Sequence, residues 1–313
     1  MSPSPDAEGA ERFKEHRPVL LEEVLERLDP RPGEIHVDCT LGAGGHASEV
    51  LSRLGANGLL IGIDRDPQAM EAARPRLEAT GFPFRLVEGP YSRLQEFLRL
   101  VGLAPEGAVD GLLLDLGVSS LQLDRPERGF SFLRDGPLDM RMSPSEGDSA
   151  RAFLESAPAA EIERVLREYG EEPAAGRIAR AIDRVRKDEG IDTTGRLARI
   201  IEGVLPRQGR KTHPATRSFQ GIRIAVNREL EHLRLVLRDL DRWVKPGGRV
   251  VVLSYHSLED RMVKENFRER AREGIYRMVP PSPLRPGAKE IESNPRSRSA
   301  RLRSVVREGK RSP

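Results

Sequence analysis

Cysteine occurs once in 313 residues, at Cys39, which excludes an internal disulfide and any metal cage built from several thiolates. Aromatic residues make up 4% of the chain, so aliphatic side chains must fill the core. No apolar run approaches the ~20 residues that a membrane-spanning helix needs. The N-terminal stretch "MSPSPDAEGAERFKEH" lacks the apolar centre of a secretory signal, and a cytoplasmic protein without membrane contact is the expectation. Lysine is scarce too: seven of the 52 basic residues are Lys and 45 are Arg. What is present, 37% hydrophobic and 32% charged residues, describes a globular chain long enough for one large domain or two ordinary ones. The net charge of +3 is unevenly spread. Residues 285–313 carry nine Lys/Arg against three Asp/Glu, a surplus of six, which leaves −3 for the remainder. Such a tail is either a solvated end or a phosphate-binding arm.

Residues 18–28, "PVLLEEVLERL", place Val19, Leu20, Val24, Leu25 and Leu28 on one helical face, stopped by "DPRPG". Apolar segments at 34–40, 58–64, 84–89 and 109–119 then alternate with helical ones, which predicts a parallel sheet with right-handed crossovers. The continuous runs "GLLIGI" and "GLLLDL" fit strands covered on both faces. From about Leu123 to Thr212 the alternation stops, and amphipathic segments predict an all-helical insertion whose third helix is capped by Thr193 or Thr194. One long helix is expected over 218–244, then the turn "KPGG" and a strand at 249–257. Residues 300–306 read as one last edge strand.

The segment "HVDCTLGAGGHASEV" (36–50) runs from a strand through glycines into a helix. Gly44 and Gly45 let the backbone turn sharply and approach a ligand, and His46 stands at the start of a helix whose first N–H groups are free. The spacing is not the G-x-G-x-x-G of dinucleotide binders. Asp38, just ahead, would repel a pyrophosphate and attract a cationic ligand, which points to S-adenosylmethionine rather than to NAD. Asp64 ends the second strand, where a carboxylate is placed to accept from ribose hydroxyls. Asp66 before Pro67 is the better helix cap. Asp115 opens a polar loop with Ser119, Ser120 and Gln122 after a very apolar strand, as a catalytic loop would. His256 with Glu259 and Asp260 lacks metal-ligand spacing and reads as a capping or packing histidine, so no metal is expected. Arg207, Arg210, Lys211, His213 and Arg217, close to Phe219, suit phosphate contact as well as they suit a solvated loop.

Together these segments closely resemble the bacterial family of small-subunit ribosomal RNA (cytosine-N4)-methyltransferases, the MraW family. The resemblance rests on "HRPVLLEEVLERL", "VDCTLGAGGHA", "GIDRDPQA", "EGPYSRL", "LLLDLGVSSLQLDRPERGFSFLRDGPLDMRM", "THPATRSFQGIRIAVNREL", "KPGGRVVVLSYHSLEDRMVK" and "NPRSRSARLR". It implies an α/β, Rossmann-like S-adenosylmethionine-dependent methyltransferase sheet (1–123 and 213–313) with an inserted helical subdomain for substrate recognition (124–212). It also implies methyl transfer to the N4 of a cytidine in the decoding region of 16S rRNA, within the small ribosomal subunit, by a protein that could act as a homodimer. Cofactor contacts carry over to Gly44, Gly45, His46, Asp64, Tyr91, Asp115 and Gln122, with Asp115 also the catalytic candidate. Arg296, Arg298 and Arg301 of the basic tail join the RNA-binding candidates. Many amino-methyltransferases follow their catalytic Asp or Asn with Pro-Pro-aromatic; here Asp115 is followed by Leu116-Gly117-Val118, which leaves the base-stacking residue unassigned. Two other classes stay open at this point: an NAD-dependent oxidoreductase, opposed by Asp38 and the glycine spacing, and a non-catalytic RNA-binding or ribosome-assembly protein that keeps the fold.

Overall fold

The computed structural model describes residues 18–205, 209 and 212–309. Seven strands, β1 (Ile35–Asp38), β2 (Leu59–Asp64), β3 (Phe84–Glu88), β4 (Val109–Asp115), β5 (Val244–Ser254), β6 (Tyr276–Met278) and β7 (Arg301–Arg307), form one sheet in the order β3-β2-β1-β4-β5-β7-β6. The first five are mutually parallel and β7 runs against both its neighbours. The helices α1 (Leu21–Leu28), α2 (Gly45–Leu54), α3 (Pro67–Glu78) and α4 (Leu94–Leu100) precede or separate the early strands. After β4 come α5 (Ser120–Asp124), α6 (Ala150–Ser156), α7 (Ala159–Glu168), α8 (Ala175–Asp188), α9 (Thr194–Val204), α10 (Thr216–Asn227) and α11 (Glu229–Trp243); α12 (Ser257–Arg272) and α13 (Ala288–Ser293) lie between the last strands.

The apolar strand runs follow from burial on both faces. Along β4, Leu112 and Leu114 enter the core formed with α4, α11 and α12, while Leu113 enters the one formed with α1, α2 and α3. Val250 and Val252 of β5 divide from Val251 and Leu253 in the same way. With no face left to water, alternation disappears from the sequence. A third core belongs to the helical unit and reaches from Phe130 and Met140 through α6–α9 to Phe219 and Ile222 of α10. Thr193, rather than Thr194, caps α9 by accepting from the Arg196 N–H at 3.2 Å.

Three expectations are corrected. The single helix over 218–244 is two helices, broken at Arg228, whose φ of 51° is left-handed. The break is held by Asn227, 1% exposed, which donates to the Met140 carbonyl and accepts from the Met142 N–H, both at 2.7 Å. The strand at 300–306 is not an edge: β7 is paired on both sides, and the three-residue β6 closes the sheet. The segments 109–119 and 249–257 stop extending at Asp115 and Ser254, because the following residues turn into α5 and α12.

The strand order reverses between β1 and β4, since the chain runs outward through β2 and β3 and then returns to the other side of β1. At such a switch point the loops diverge and leave a crevice at the carboxyl ends of the strands.

Candidate active site

A cavity of 690 Å³ occupies that crevice, within the usual size of small-molecule sites. Its lining comes from the loops after β1, β2, β3, β4 and β5, with α10 and α11 on one side. Asp38 closes β1 and accepts from the Thr40 N–H at 3.1 Å, while Thr40 Oγ1 accepts from the Asp115 N–H at 2.6 Å. The glycine turn is pinned to β2 by Asp64, which accepts from the Gly42 N–H at 2.8 Å and the Asp66 N–H at 2.9 Å. Each Asp64 oxygen keeps a second lone pair, and the residue still faces the cavity.

The glycines differ from the reading that brought both to a ligand. Gly44 does not line the cavity; its φ of 75° and the Ala73 Cβ, 3.0 Å from where its own Cβ would lie, are what demand glycine. Gly45 does line it, and its Cβ would stand 2.6 Å from Pro18 Cγ. His46 is 6% exposed. Its Nε2 lies 3.0 Å from the Val19 carbonyl, which can only accept, so Nε2 carries the proton and the bare Nδ1 faces Asp115 Oδ2 at 3.5 Å. Tyr255 OH donates to Asp115 Oδ1 at 2.7 Å.

Asp38, Asp64 and Asp115 pair with no Lys or Arg among the described residues. Burial pushes Asp38 up to about 7 against the opposing pull of His46 and the Thr40 N–H. Burial likewise raises Asp64 to about 6 and Asp115 to about 7, the latter in spite of the Tyr255 hydrogen bond. His46 is held below its ordinary value by burial, although Asp38 opposes this. Of the three, Asp64 and Asp115 line the cavity while Asp38 lies buried behind it. Arg65, Arg76, Arg223 and Arg296 line it too, so the two carboxyl groups offer a cationic ligand local partners within a lining of mixed charge. Leu41, Leu116, Val118 and Leu233 supply its apolar wall.

Tyr91 lines the cavity from the turn after β3 and meets the His232 ring edge-on, 6.3 Å between centroids. Burial raises its phenol, so it offers a neutral face. Gln122 also lines the cavity, but its amide serves the loop: Oε1 accepts from the Ser119 N–H and Nε2 donates to Asp66 Oδ2 at 2.9 Å. Asp66 caps α3 and in addition receives Arg128 Nη1 at 2.7 Å, both side chains being buried.

Arg223 and Glu229, joined by bonds of 2.8 and 2.9 Å, border the same cavity and escaped the sequence reading; Tyr255 and Glu259, the latter read only as part of a capping or packing cluster, border it too. Arg223 and Glu229 lie on either side of an unforeseen helix break, so periodicity carried no signal for them. Glu229, His256 and Glu259 bring ligand-type atoms within 4.8 Å of one another. The set is a charge network rather than a cation cage: Arg223 already occupies Glu229. His256 caps α12, its Nδ1 accepting from the Glu259 N–H, so its proton sits on Nε2, the atom a cation would need bare.

The basic candidates fare unequally. Arg207, Arg210 and Lys211 lie outside the described residues. His213 is a packing residue: it stacks on Phe132 at 4.4 Å, and its Nε2 lies 2.9 Å from Glu202. Arg301 is tied to Asp260 at 2.7 Å, and Arg296, on the cavity rim, pairs with Asp124. Arg298 is exposed. Arg217 reaches the Glu171 carbonyl at 3.2 Å. Within the described part of the basic tail, Arg301, Arg303 and Arg307 lie in β7, whereas Arg296 and Arg298 lie on the short helical turn before it.

Comparison with known proteins shows the family. The model of the MraW methylase family matches residues 13–308. A relative from Trichlorobacter lovleyi, named ribosomal RNA small subunit methyltransferase H, is 46% identical over 94% of this chain and 98% of its own length. One of the same name from Thioalkalivibrio sulfidiphilus is 48% identical over 93% and 97%. Among solved structures, a SAM-dependent O-methyltransferase from Thermotoga maritima overlays with a TM-score of 0.42 at 10% identity, covering 96% of this chain and 70% of its own. With the family model spanning nearly the whole chain and relatives near half-identical, the chain belongs to the MraW methylase family and uses S-adenosylmethionine as its cofactor.

Proposed function

We propose that the chain methylates the exocyclic N4 of a cytidine in the decoding region of 16S rRNA. The observation that carries this reading is Asp115: a carboxylate at the switch point, facing the cavity, with a proton affinity near neutrality. The name of the relatives, a small-subunit ribosomal RNA methyltransferase, supports the substrate class.

When bound, S-adenosylmethionine supplies an activated methyl group on a positively charged sulfur. Asp64, Gly45, His46 and Tyr91 would hold it, with the Asp64 and Asp115 carboxyl groups answering its charge. A cytosine amine is a weak nucleophile because its lone pair is delocalised into the ring. Asp115, accepting from an N–H of that amine, favours the geometry in which the lone pair becomes available, and positioning of this kind is worth several kcal/mol. N4 must also lose a proton. Asp115 Oδ2 is placed to take it, and the bare Nδ1 of His46 lies behind that oxygen to share it. Tyr255 fixes the rotamer of the carboxylate. Cys39 borders the cavity but is 1% exposed, and burial together with Asp38 pushes its thiol well above the ordinary range, which disfavours a thiolate attack of the kind used on carbon 5 of cytosine.

In this reading residues 124–212 recognise the RNA, while α10 belongs to both units because its apolar face completes the helical core. A ribosomal substrate places the reaction in the cytoplasm; no helix of the described residues is long and apolar enough to cross a membrane. The test uses small subunits from a strain lacking the activity, incubated with protein and cofactor, followed by mass spectrometry of 16S rRNA. N4-methylcytidine in a decoding-region fragment is expected. Binding of subunits without any methyl transfer would instead establish the non-catalytic assembly protein.

A further inference from the structure

The helical unit carries a second hollow that methyl transfer does not use. It has a volume of 420 Å³ and lies where the loop before α8, the start of α8 and the start of α10 meet. Its wall holds Arg167, Arg177, Arg180 and Arg217 against Glu163 and Glu172, four positive groups to two negative. The acids are engaged: Glu163 pairs with Arg167 at 2.5 Å, and Glu172, 3% exposed, accepts from the Ala174 N–H at 2.9 Å. Arg177 and Arg180 have no acceptor among the described residues, and with Arg184 they form an exposed stripe along one face of α8. On α7 the exposed arginines are paired one turn away, Arg164 with Glu161 and Glu168 and Arg167 with Glu163. The stripe on α8 lacks that compensation, so its mutual repulsion awaits an external anion.

We propose that this hollow and stripe hold the phosphodiester backbone of the substrate RNA beside the target nucleotide, an inference that rests on the RNA reading above. Guanidinium forks match phosphate oxygens in pairs. No aromatic side chain lines the hollow, so it offers no stacking surface for a base and contributes anchoring rather than sequence reading. Its place in the fold suits anchoring, because α10 begins at the hollow with Arg217 and reaches the catalytic cavity at Arg223, about 9 Å along the helix axis. A strand whose cytidine enters the cavity would pass the stripe within a few nucleotides.

The test compares the full chain with an Arg177→Gln/Arg180→Gln variant, whose side chains pack in no core. Binding of a fluorescent decoding-region RNA is measured by anisotropy across a salt series, cofactor binding by calorimetry, and methyl transfer on small subunits. The variant is expected to bind RNA at least tenfold more weakly near 0.1 M salt. Its log affinity should depend on log salt with a slope shallower by about 1.5, the release of roughly two contacts. Cofactor affinity should be unchanged, and the kinetic loss should fall on KM for RNA rather than on kcat. An Arg53→Gln/Arg74→Gln control on α2 and α3 should keep RNA affinity within about twofold; an equal loss there would reduce the effect to net charge and overturn the site. An unchanged RNA affinity and slope in the α8 variant would also overturn it. So would wild-type binding of AMP or inorganic phosphate as tight as that of RNA, which would make the hollow a small-anion site. Loss of subunit binding with naked RNA binding intact would transfer it to a protein partner and overturn it too. Wild type that binds RNA through the stripe yet transfers no methyl group would refute the enzymatic reading alone.

Discussion

Asp115 leaves β4 with its N–H on Thr40 and its carboxyl between Tyr255 and His46. To accept a proton from an amine it must be ionised, and burial has raised it to about 7. The rate of methyl transfer is therefore expected to rise with pH through about 7 and to level off above it, as a single-turnover pH profile would show. Tyr255→Phe removes the hydrogen bond that lowers this carboxyl, so the midpoint should move to higher pH, with the rate at pH 7 falling several-fold and recovering at pH 9. A merely structural tyrosine would lower the rate equally at every pH. Asp115→Asn keeps the shape without the proton affinity and should reduce kcat by about 10² or more, with a much smaller change in cofactor affinity. Full activity in that variant would remove Asp115 from the chemistry.

The loop after β4 is held to the α3 N-terminus by one buried knot. Asp66 caps α3, receives Gln122 Nε2 and pairs with Arg128, whose other nitrogen donates to the Met142 carbonyl at 2.9 Å. Asp66→Ala strands a buried guanidinium and an amide N–H together, and should cost about 3–5 kcal/mol in chemical denaturation. Breaking the exposed pair Arg151–Glu155 on α6 should cost under about 1 kcal/mol. Comparable losses for the two would mean that the knot does not organise the loop. Since the same knot orients Gln122 on the cavity wall, the Asp66 variant should lose cofactor affinity as well.

Across the molecule, Asp64 and Asp115, which pair with no Lys or Arg among the described residues, face the cofactor cavity, while Arg177 and Arg180 face the hollow at α8, so a cationic ligand and a polyanionic one meet different local partners. Asp38, Asp64 and Asp115 bind protons more tightly in the fold than in the unfolded chain, at about 7, 6 and 7. The sign follows from the raised values. Below their ordinary range they are protonated in both states and contribute nothing, and as pH rises from about 4 to 7 they lower the stability of the free fold. A bound cation offsets that loss. S-adenosylmethionine should therefore bind more tightly, and raise Tm further, at pH 8 than at pH 5.5. S-adenosylhomocysteine, whose sulfur is uncharged, should show a weaker dependence. Calorimetric titrations giving one affinity for the methyl donor at both pH values would remove these carboxyl groups from its recognition.

What the sequence alone determined is local. Apolar runs marked the strands because both faces of this sheet are covered, Asp66 before Pro67 marked a cap, and the quoted segments identified the family. Acidic residues at strand ends were legible as site candidates because such ends converge in any parallel sheet. The tertiary structure decided the rest. Tyr255 meets Asp115 across 140 residues of chain, Arg223 meets Glu229 around a left-handed Arg228, and β7 lies inside the sheet because a three-residue β6 adds beyond it. It also packs Gly44 against Ala73, stacks His213 on Phe132 and pairs Arg301 with Asp260. Periodicity reports which face of one element is buried, whereas the partner of a side chain and its proton affinity depend on segments distant in the chain that only the folded sheet brings together.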